Sequence, residues 1–382
     1  MANFFDDKNY TDYFEKLNNR LNSSQENVVK KRVPNSDSPK ETKKKGFYKT
    51  FRLKRIGLLF PAVLMLCLTL VIIFSVRSCS VDKTSNNGTV SVSSLGQTSE
   101  SVTSDDQIKN TPQKIIYSSN EDVPDFPESN DAKAGIIIKK SNNTIVAARE
   151  PHKKIYPAST IKIMTLLCAV ENIEDVNDTF TMTYEITDPL YVSDASVAGF
   201  LNNEKVTMTD LLYGMILPSG ADAAIGLAVK IAGSEEAFVK LMNDKVKELG
   251  LENTNFTNVS GLYDQNNYST AYDMAIILDC AMENELCRKV LSTYQYTTQK
   301  TPQNPEGILL QSTLFSYMYG TEPETATVLG GKTGFVNESG YCIASFGENK
   351  SQTEEYIVIT MGNSSKWPAF YGQIDLYKKF AK

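Results

Sequence analysis

Residues 157–170 read Pro157-Ala158-Ser159-Thr160-Ile161-Lys162-Ile163-Met164-Thr165-Leu166-Leu167-Cys168-Ala169-Val170. A lysine stands three positions after a serine, and the apolar residues that follow have the spacing of a buried helix. Residues three apart lie on one face of a helix, so the lysine amine reaches the serine hydroxyl. A second stretch lies near the C-terminus and reads Gly330-Gly331-Lys332-Thr333-Gly334. Together they predict a serine acyl-transfer site with lysine as the base.

Lysine is the more suitable base because the chain contains one histidine, His152, within a charged turn. A lysine accepts a proton only when it is neutral, and burial beside a second cation lowers its pKa. We predict that Lys332 is that cation. The serine-lysine spacing alone is not specific, since Ser80 and Lys83 share it in a polar region. Ser159 differs because it lies between a predicted β-hairpin and an apolar helix.

Composition excludes several classes of protein. The chain has 382 residues, 41% of them hydrophobic, and a net charge of -6. Residues 1–55 contain 14 Lys/Arg and 7 Asp/Glu, whereas the remainder contains 25 and 38, which argues against nucleic-acid binding. The cysteines at and beyond position 79 are odd in number and irregularly spaced, which predicts free, mostly buried thiols. We predict no metal site and no cofactor.

An uncharged stretch of 21 residues, Ile56–Val76, divides the basic from the acidic part of the chain. As a helix it would reach about 30 Å, the hydrocarbon thickness of a bilayer. Seven Lys/Arg lie between Lys43 and Arg55 just before it, which places the N-terminus in the cytoplasm and the C-terminal part outside the cell. A cleaved signal peptide is the alternative, but 55 residues far exceed an ordinary charged leader.

The sequence predicts four regions. Residues 1–55 form a polar cytoplasmic tail, and residues 56–76 form a transmembrane helix. Residues 77–130 form an extracellular stalk, because Ser, Thr, Asn and Gln dominate much of it and large apolar residues are scarce. Residues 131–382 form the folded domain.

Within that domain, strands are predicted at both ends and helices in the middle. Residues 134–140 and 144–149 predict a β-hairpin, and residues 341–346 and 356–361 predict two further strands before a terminal helix over 368–380. Helical spacing recurs in five central segments: 161–172, 209–216, 222–231, 234–249 and 271–282. This order predicts one α+β domain.

These motifs resemble a known family. A Ser-x-x-Lys motif with Lys-Thr-Gly is part of the signature of penicillin-binding proteins and class A β-lactamases. The chain resembles the low-molecular-weight penicillin-binding proteins that are serine-type D-alanyl-D-alanine carboxypeptidases, over about residue 134 to the C-terminus. Four segments in the family's order carry the resemblance: 157–165, 210–220, 260–275 and 331–342.

The resemblance implies a β-lactamase/transpeptidase-like fold, with a five-stranded antiparallel sheet flanked by helices. It implies an acyl-enzyme on Ser159, with Lys162 as base and Ser219 relaying a proton to the leaving amine. Lys332, Thr333, Gly334 and Phe335 would bind substrate, the lysine and threonine gripping the terminal carboxylate and the N–H groups of Ser159 and Phe335 forming the oxyanion hole. The partners implied are peptidoglycan stem peptides as substrate and β-lactam antibiotics as acylating inhibitors.

The chain departs from the family pattern in the middle motif. The motif normally ends in asparagine, but here it is Ser219-Gly220-Ala221. Asp222 follows, either as the N-cap of the next helix or as a substitute for the missing amide. Two other functions therefore stay open: a β-lactamase, and a non-hydrolytic cell-wall binding protein with the same fold.

Overall fold

The computed structural model describes residues 115–119, 122–193, 195–318, 320–321 and 323–382. All of them belong to one compact unit, Val102–Lys382. The strands, in chain order, are β1 (Ser118–Ser119), β2 (Ala134–Lys139), β3 (Thr144–Arg149), β4 (Thr179–Thr181), β5 (Lys205–Thr207), β6 (Gln295–Thr297), β7 (Leu309–Gln311), β8 (Ala326–Val336), β9 (Gly340–Asn349) and β10 (Glu355–Asn363).

The helices of the described residues lie between β3 and β8 in the chain, apart from the last helix, which follows β10. They are α1 (Lys162–Asn172), α2 (Tyr184–Val192), α3 (Met208–Ile216), α4 (Ala221–Ala232), α5 (Glu235–Glu248), α6 (Ala271–Glu283), α7 (Glu285–Leu291), α8 (Thr313–Met318) and α9 (Lys366–Phe380). A 3-10 turn over Ala158–Ile161 leads directly into α1.

The main sheet is mixed and has six strands in the order β1-β3-β2-β10-β9-β8. Along the order β3-β2-β10-β9-β8, each strand runs antiparallel to the next. These five strands form the antiparallel sheet that was predicted. The prediction of five strands omitted β1, which pairs with β3 in parallel. An edge strand exposes unpaired backbone groups, and β3 offers them to β1. The buried Tyr117 stabilises the pairing of β1 with β3, because its hydroxyl donates to Asp279 Oδ2 on α6 over 3.0 Å.

The sheet separates two apolar layers because successive side chains along a strand point to opposite faces. On β2, Ile136 and Ile138 face the large core that contains α1, α3, α4, α5 and α6. Ile137 faces a smaller layer that includes Tyr377 of α9. The longest strand, β8, lies at the edge of the sheet and also contacts the 3-10 turn. This contact brings the two sequence motifs together.

Side chains cap several of the central helices. The Thr207 hydroxyl and the Asp210 carboxylate form a capping box at α3, and Ser234 and Thr270 accept from the first turns of α5 and α6. The suggestion that Asp222 is an N-cap is wrong. The N-cap of α4 is Gly220, and Asp222 lies inside the first turn.

The fold of the described residues is α+β, and its predicted strands and central helices are present within a few residues. The predicted tail, transmembrane helix and most of the stalk lie outside the described residues. Within the part of the chain that is described, no helix has the length and apolar character needed to cross a membrane.

Candidate active site

Ser159 and Lys162 lie one turn apart at the start of α1. The Lys162 Nζ atom donates to Ser159 Oγ over 3.1 Å. Ala158 adopts a left-handed conformation with φ of 49°, and the 3-10 turn it opens carries Ser159. A non-glycine residue in this region is strained, which is common beside reactive groups. The geometry places a hydroxyl and an amine in hydrogen-bond contact, an arrangement that can supply a nucleophile and a base.

Burial makes Lys162 a suitable base. Lys162 is 1% exposed. Burial lowers the pKa of Lys162 from its ordinary value of 10.5 to about 7, and the Asp222 carboxylate partly opposes this shift. About half of the amine is therefore neutral near pH 7, and able to take a proton. Of the two predicted causes, burial lowers this pKa, whereas Lys332 is not among its causes.

The same amine also donates to the Ser260 carbonyl oxygen, which sequence reasoning missed. Gly261 follows with φ of 82°, and a Cβ there would lie 2.1 Å from the Ala158 carbonyl oxygen. The turn is held by Asn258, whose Oδ1 accepts from Gly261 N over 2.7 Å and whose Nδ2 donates to Leu262 O over 3.0 Å. A backbone carbonyl group cannot be recognised from residue type, so the only sequence signals for this contact are Asn258 and Gly261.

Strand β8 places Lys332, Thr333 and Gly334 beside the 3-10 turn. A Cβ on Gly334 would lie 2.8 Å from the Ser159 nitrogen, so the strand approaches the nucleophile at a distance that only glycine permits. Lys332 is 1% exposed and donates to Thr333 O over 2.9 Å. Burial, and then repulsion from Lys162, lower the pKa of Lys332 well below its usual value.

Thr313 joins two of the motifs and was not predicted. Its hydroxyl lies 2.8 Å from the Thr333 hydroxyl, and its backbone N–H donates to Leu217 O over 3.0 Å. Leu217 precedes the middle motif by two residues. Thr313, the first residue of α8, thus ties the edge strand to the loop that carries Ser219.

Ser219 lies in the loop between α3 and α4 with φ of 69°, and is almost fully buried. Among the described residues, its side chain makes no hydrogen bond to Ser159, Lys162 or Lys332. Ala221 is 2% exposed and begins α4. The structure therefore places Ser219 in the loop before α4, without a side-chain hydrogen bond to Ser159, Lys162 or Lys332.

Asp222 does not replace the missing amide. Its carboxylate accepts hydrogen bonds from the backbone N–H groups of Ala198 (2.7 Å), Gly199 (3.0 Å), Phe200 (3.3 Å) and Ala223 (2.9 Å). These bonds hold residues 198–200 against α4. Burial raises the pKa of Asp222, and the four donors oppose that rise.

Two aromatic side chains near the site are about half exposed. Phe335 is 47% exposed and its ring lies 4.4 Å from that of Tyr341. Tyr263 is 48% exposed and its ring meets that of Tyr156 at 5.0 Å. The described cysteines are free, and Cys168, Cys287 and Cys342 are buried, as predicted. No group of His, Cys, Asp or Glu in the described ranges has the arrangement of a metal site.

The sequence of this chain matches the model of a known protein family. The family model of the D-alanyl-D-alanine carboxypeptidases, peptidase S11, matches residues 114–365.

The chain belongs to this family.

Individual carboxypeptidases agree with the assignment. D-alanyl-D-alanine carboxypeptidase DacF of Bacillus subtilis is 32% identical over 223 residues, covering 57% of this chain and 54% of the relative. DacA of Haemophilus influenzae is 32% identical over 237 residues, covering 60% and 57%. The match thus spans a little over half of the length of these two relatives.

Solved structures of the family share the fold. The Streptomyces K15 DD-transpeptidase superposes with a TM-score of 0.59 at 26% identity, covering 66% of this chain and 98% of that one. Penicillin-binding protein 5 from Haemophilus influenzae superposes with a TM-score of 0.56 at 28% identity, covering 66% and 70%.

Proposed function

We propose that this carboxypeptidase-family protein is a membrane-anchored serine D,D-carboxypeptidase. It removes the terminal D-alanine from peptidoglycan stem pentapeptides through a Ser159 acyl-enzyme. One observation carries the proposal: Lys162 Nζ lies 3.1 Å from Ser159 Oγ, and its amine is buried enough to be partly neutral. Membership of the D-alanyl-D-alanine carboxypeptidase family supplies the substrate class.

In acylation, neutral Lys162 takes the hydroxyl proton while Ser159 Oγ attacks the carbonyl between the two D-alanines. The N–H groups of Ser159 and Phe335 stabilise the oxyanion. Ser219 relays a proton to the departing amine, and the C–N bond breaks. Lys332 and Thr333 bind the terminal carboxylate, and Gly334 lets the substrate backbone approach the edge strand. Water then hydrolyses the ester and restores the Ser159 hydroxyl.

The proposed location follows from the sequence. Residues 56–76 form the membrane anchor, with residues 1–55 in the cytoplasm. Residues 77–114 form the stalk, and the chain from Ile115 onward forms the catalytic domain on the outer side, where peptidoglycan lies, because β1 belongs to the main sheet and Tyr117 to its core. Net positive charge before the hydrophobic stretch supports this orientation.

The test is release of D-alanine from a stem pentapeptide. The wild-type protein releases D-alanine, whereas Ser159→Ala and Lys162→Ala each reduce the rate by about 1,000-fold or more. Unfolding temperatures of both variants show whether the fold is retained. If Lys162→Ala keeps a folded structure and full activity, lysine is not the base.

A non-hydrolytic cell-wall binding protein is the second candidate, and Ala221 favours it. This position has no amide to orient a substrate and is buried in helix α4. Such a protein would bind the pentapeptide and release no D-alanine. A β-lactamase would instead turn over bound penicillin rapidly, whereas the proposed carboxypeptidase releases it slowly.

A further inference from the structure

The Ser260 carbonyl oxygen is the third member of the contact between Ser159 and Lys162. The Lys162 amine donates to this oxygen, and the Ser159 hydroxyl lies 3.4 Å from it. Ser260 is 3% exposed, so the acceptor is largely shielded from water. A buried ammonium group needs acceptors for its protons, because an unpaired buried charge is costly. The carbonyl is therefore placed to stabilise the amine once it has taken the serine proton.

Helix α1 holds the chain on the N-terminal side of this carbonyl. Lys162 bonds to Ser260 O, and Thr165, one turn later on the same face of α1, donates to the preceding carbonyl, Val259 O, over 2.9 Å. Glu235 at the start of α5 accepts from Val259 N over 3.1 Å. Both backbone groups of Val259 are thus hydrogen-bonded, and two successive carbonyl groups are bound by α1.

Asn258 holds the chain on the C-terminal side of the same carbonyl. Its Oδ1 accepts from Gly261 N over 2.7 Å and its Nδ2 donates to Leu262 O over 3.0 Å, so one amide closes the turn that follows Ser260. A Cβ on Gly261 would lie 2.7 Å from the Ser159 nitrogen, so the turn has no room to move toward the nucleophile. Without the asparagine the turn relaxes away from the nucleophile. That movement withdraws the carbonyl from the lysine amine.

We propose that Asn258 is a positioning residue for acylation. It holds the Ser260 carbonyl where this oxygen accepts from the Lys162 ammonium group that forms in the reaction. In that step the Ser159 O–H bond breaks, the proton moves to Lys162 Nζ, and the serine oxygen attacks the substrate carbonyl. Asn258 acts through the turn, since none of its hydrogen bonds within the described residues reaches Ser159 or Lys162. This inference rests on the proposed Ser159 acyl-enzyme and adds a residue to it.

The test is the acylation of the full-length protein by benzylpenicillin, measured across pH. In Asn258→Ala we expect the acylation rate constant at pH 9 to fall about 10-fold or more, with the noncovalent dissociation constant of penicillin within about twofold of wild type. The turn acts on the base and not on the ligand, which is why the loss is confined to the rate constant.

The pH profile gives a readout that a purely structural role would not change. A carbonyl acceptor favours the charged form of an amine, so its withdrawal lowers the pKa of Lys162 below its present value of about 7. The acid limb of the acylation profile should therefore move to lower pH by about half a unit or more in Asn258→Ala.

The charged groups around Lys162 are unchanged in this variant. Asp222, in the first turn of α4, partly opposes the lowered pKa of Lys162, and Lys332 on β8 is close enough to be repelled by Lys162. Glu235 on α5 bonds to the nitrogen of Val259. A shift of the acid limb therefore reports the position of the carbonyl acceptor.

Asn243→Ala is the matched control. Asn243 on α5 is half-buried like Asn258, and it also bonds the backbone of the same segment. Its Oδ1 accepts from Phe256 N over 3.0 Å and its Nδ2 donates to Phe256 O over 2.8 Å. Asn243→Ala should lose stability to a similar extent as Asn258→Ala, with the acylation rate and the acid limb of the wild type.

Thr165→Val tests the same carbonyl if Asn258→Ala does not fold, because it removes the bond to Val259 O and should shift the acid limb in the same direction. A wild-type rate and an unmoved acid limb in folded Asn258→Ala overturn the inference. A shift to higher pH also overturns it, since the turn would then shield the amine from water and not supply an acceptor. Equal shifts in Asn243→Ala would assign the effect to general loosening and overturn it too. A wild-type protein that penicillin does not acylate contradicts the proposed function instead.

Discussion

Replacing Lys162 with methionine should abolish acylation and stabilise the fold. Lys162 is 1% exposed, and burial lowers its pKa from 10.5 to about 7. In the unfolded chain the amine recovers its ordinary pKa. The unfolded state therefore binds more protons between pH 7 and 10.5, and wild-type stability rises with pH across that window. Below pH 7 the full cost of the buried charge is present.

The size of the effect follows from the shift. At pH 6 the buried lysine costs about 5 kcal/mol, and at pH 9 it costs about 2 kcal/mol. Methionine has a similar length and removes this cost, but it leaves the Ser260 carbonyl without its donor, a loss of about 1–3 kcal/mol. Lys162→Met should therefore gain about 2–4 kcal/mol at pH 6, and close to nothing at pH 9.

Urea unfolding of the purified protein at pH 6 and pH 9 measures this difference. At pH 6 the gain corresponds to a rise in Tm of roughly 5–10 °C for a domain of this size. Ser159→Ala is the control, because it removes the nucleophile and keeps the lysine, so its stability should follow pH as the wild type does. A stability difference between Lys162→Met and wild type that is the same at both pH values would refute a depressed lysine pKa.

Two further substitutions test the close contacts of the site. Gly334→Ala should lower penicillin acylation about 100-fold or more, because its Cβ would lie 2.8 Å from the Ser159 nitrogen. Gly226→Ala meets only ordinary contacts of 3.4 Å and should acylate normally; equal rates in the two variants would contradict the tight approach. Thr313→Val removes the hydroxyl that lies 2.8 Å from that of Thr333 and should raise KM for the pentapeptide about fivefold, with kcat within twofold of wild type. A loss confined to kcat would argue against carboxylate binding at Thr333.

Sequence patterns predicted the elements that have a strong apolar pattern. The strands β2, β9 and β10 were recognisable as apolar runs that are buried on both faces, and the helices α1, α3, α4, α5 and α6 by apolar residues at helical spacing. The two-stranded sheets β4-β5 and β6-β7 were missed, since three-residue strands show no period. Strand β1 was missed because only its pairing with β3 defines it.

Site residues whose side chains form a motif could be predicted from the sequence. Contacts made by backbone groups or by residues distant in the chain could not. Ser159 and Lys162 were identified by their spacing together with the apolar helix that follows, and Lys332 by its Lys-Thr-Gly motif. The Ser260 carbonyl and the Thr313 bridge depend on tertiary contacts that no local pattern encodes. Asp222 was misinterpreted for the same reason, since its backbone partners at 198–200 lie about 20 residues away.

The most direct test of the central claim is to locate the acyl group. The wild-type protein is incubated with benzylpenicillin, and its intact mass and its peptides are measured. We expect the gain of one penicillin molecule, attached to the peptide that contains Ser159, and no gain in a folded Ser159→Ala variant. Acylation of Ser159→Ala at the wild-type rate, or an adduct on a different residue, would contradict the assignment of Ser159 as the nucleophile.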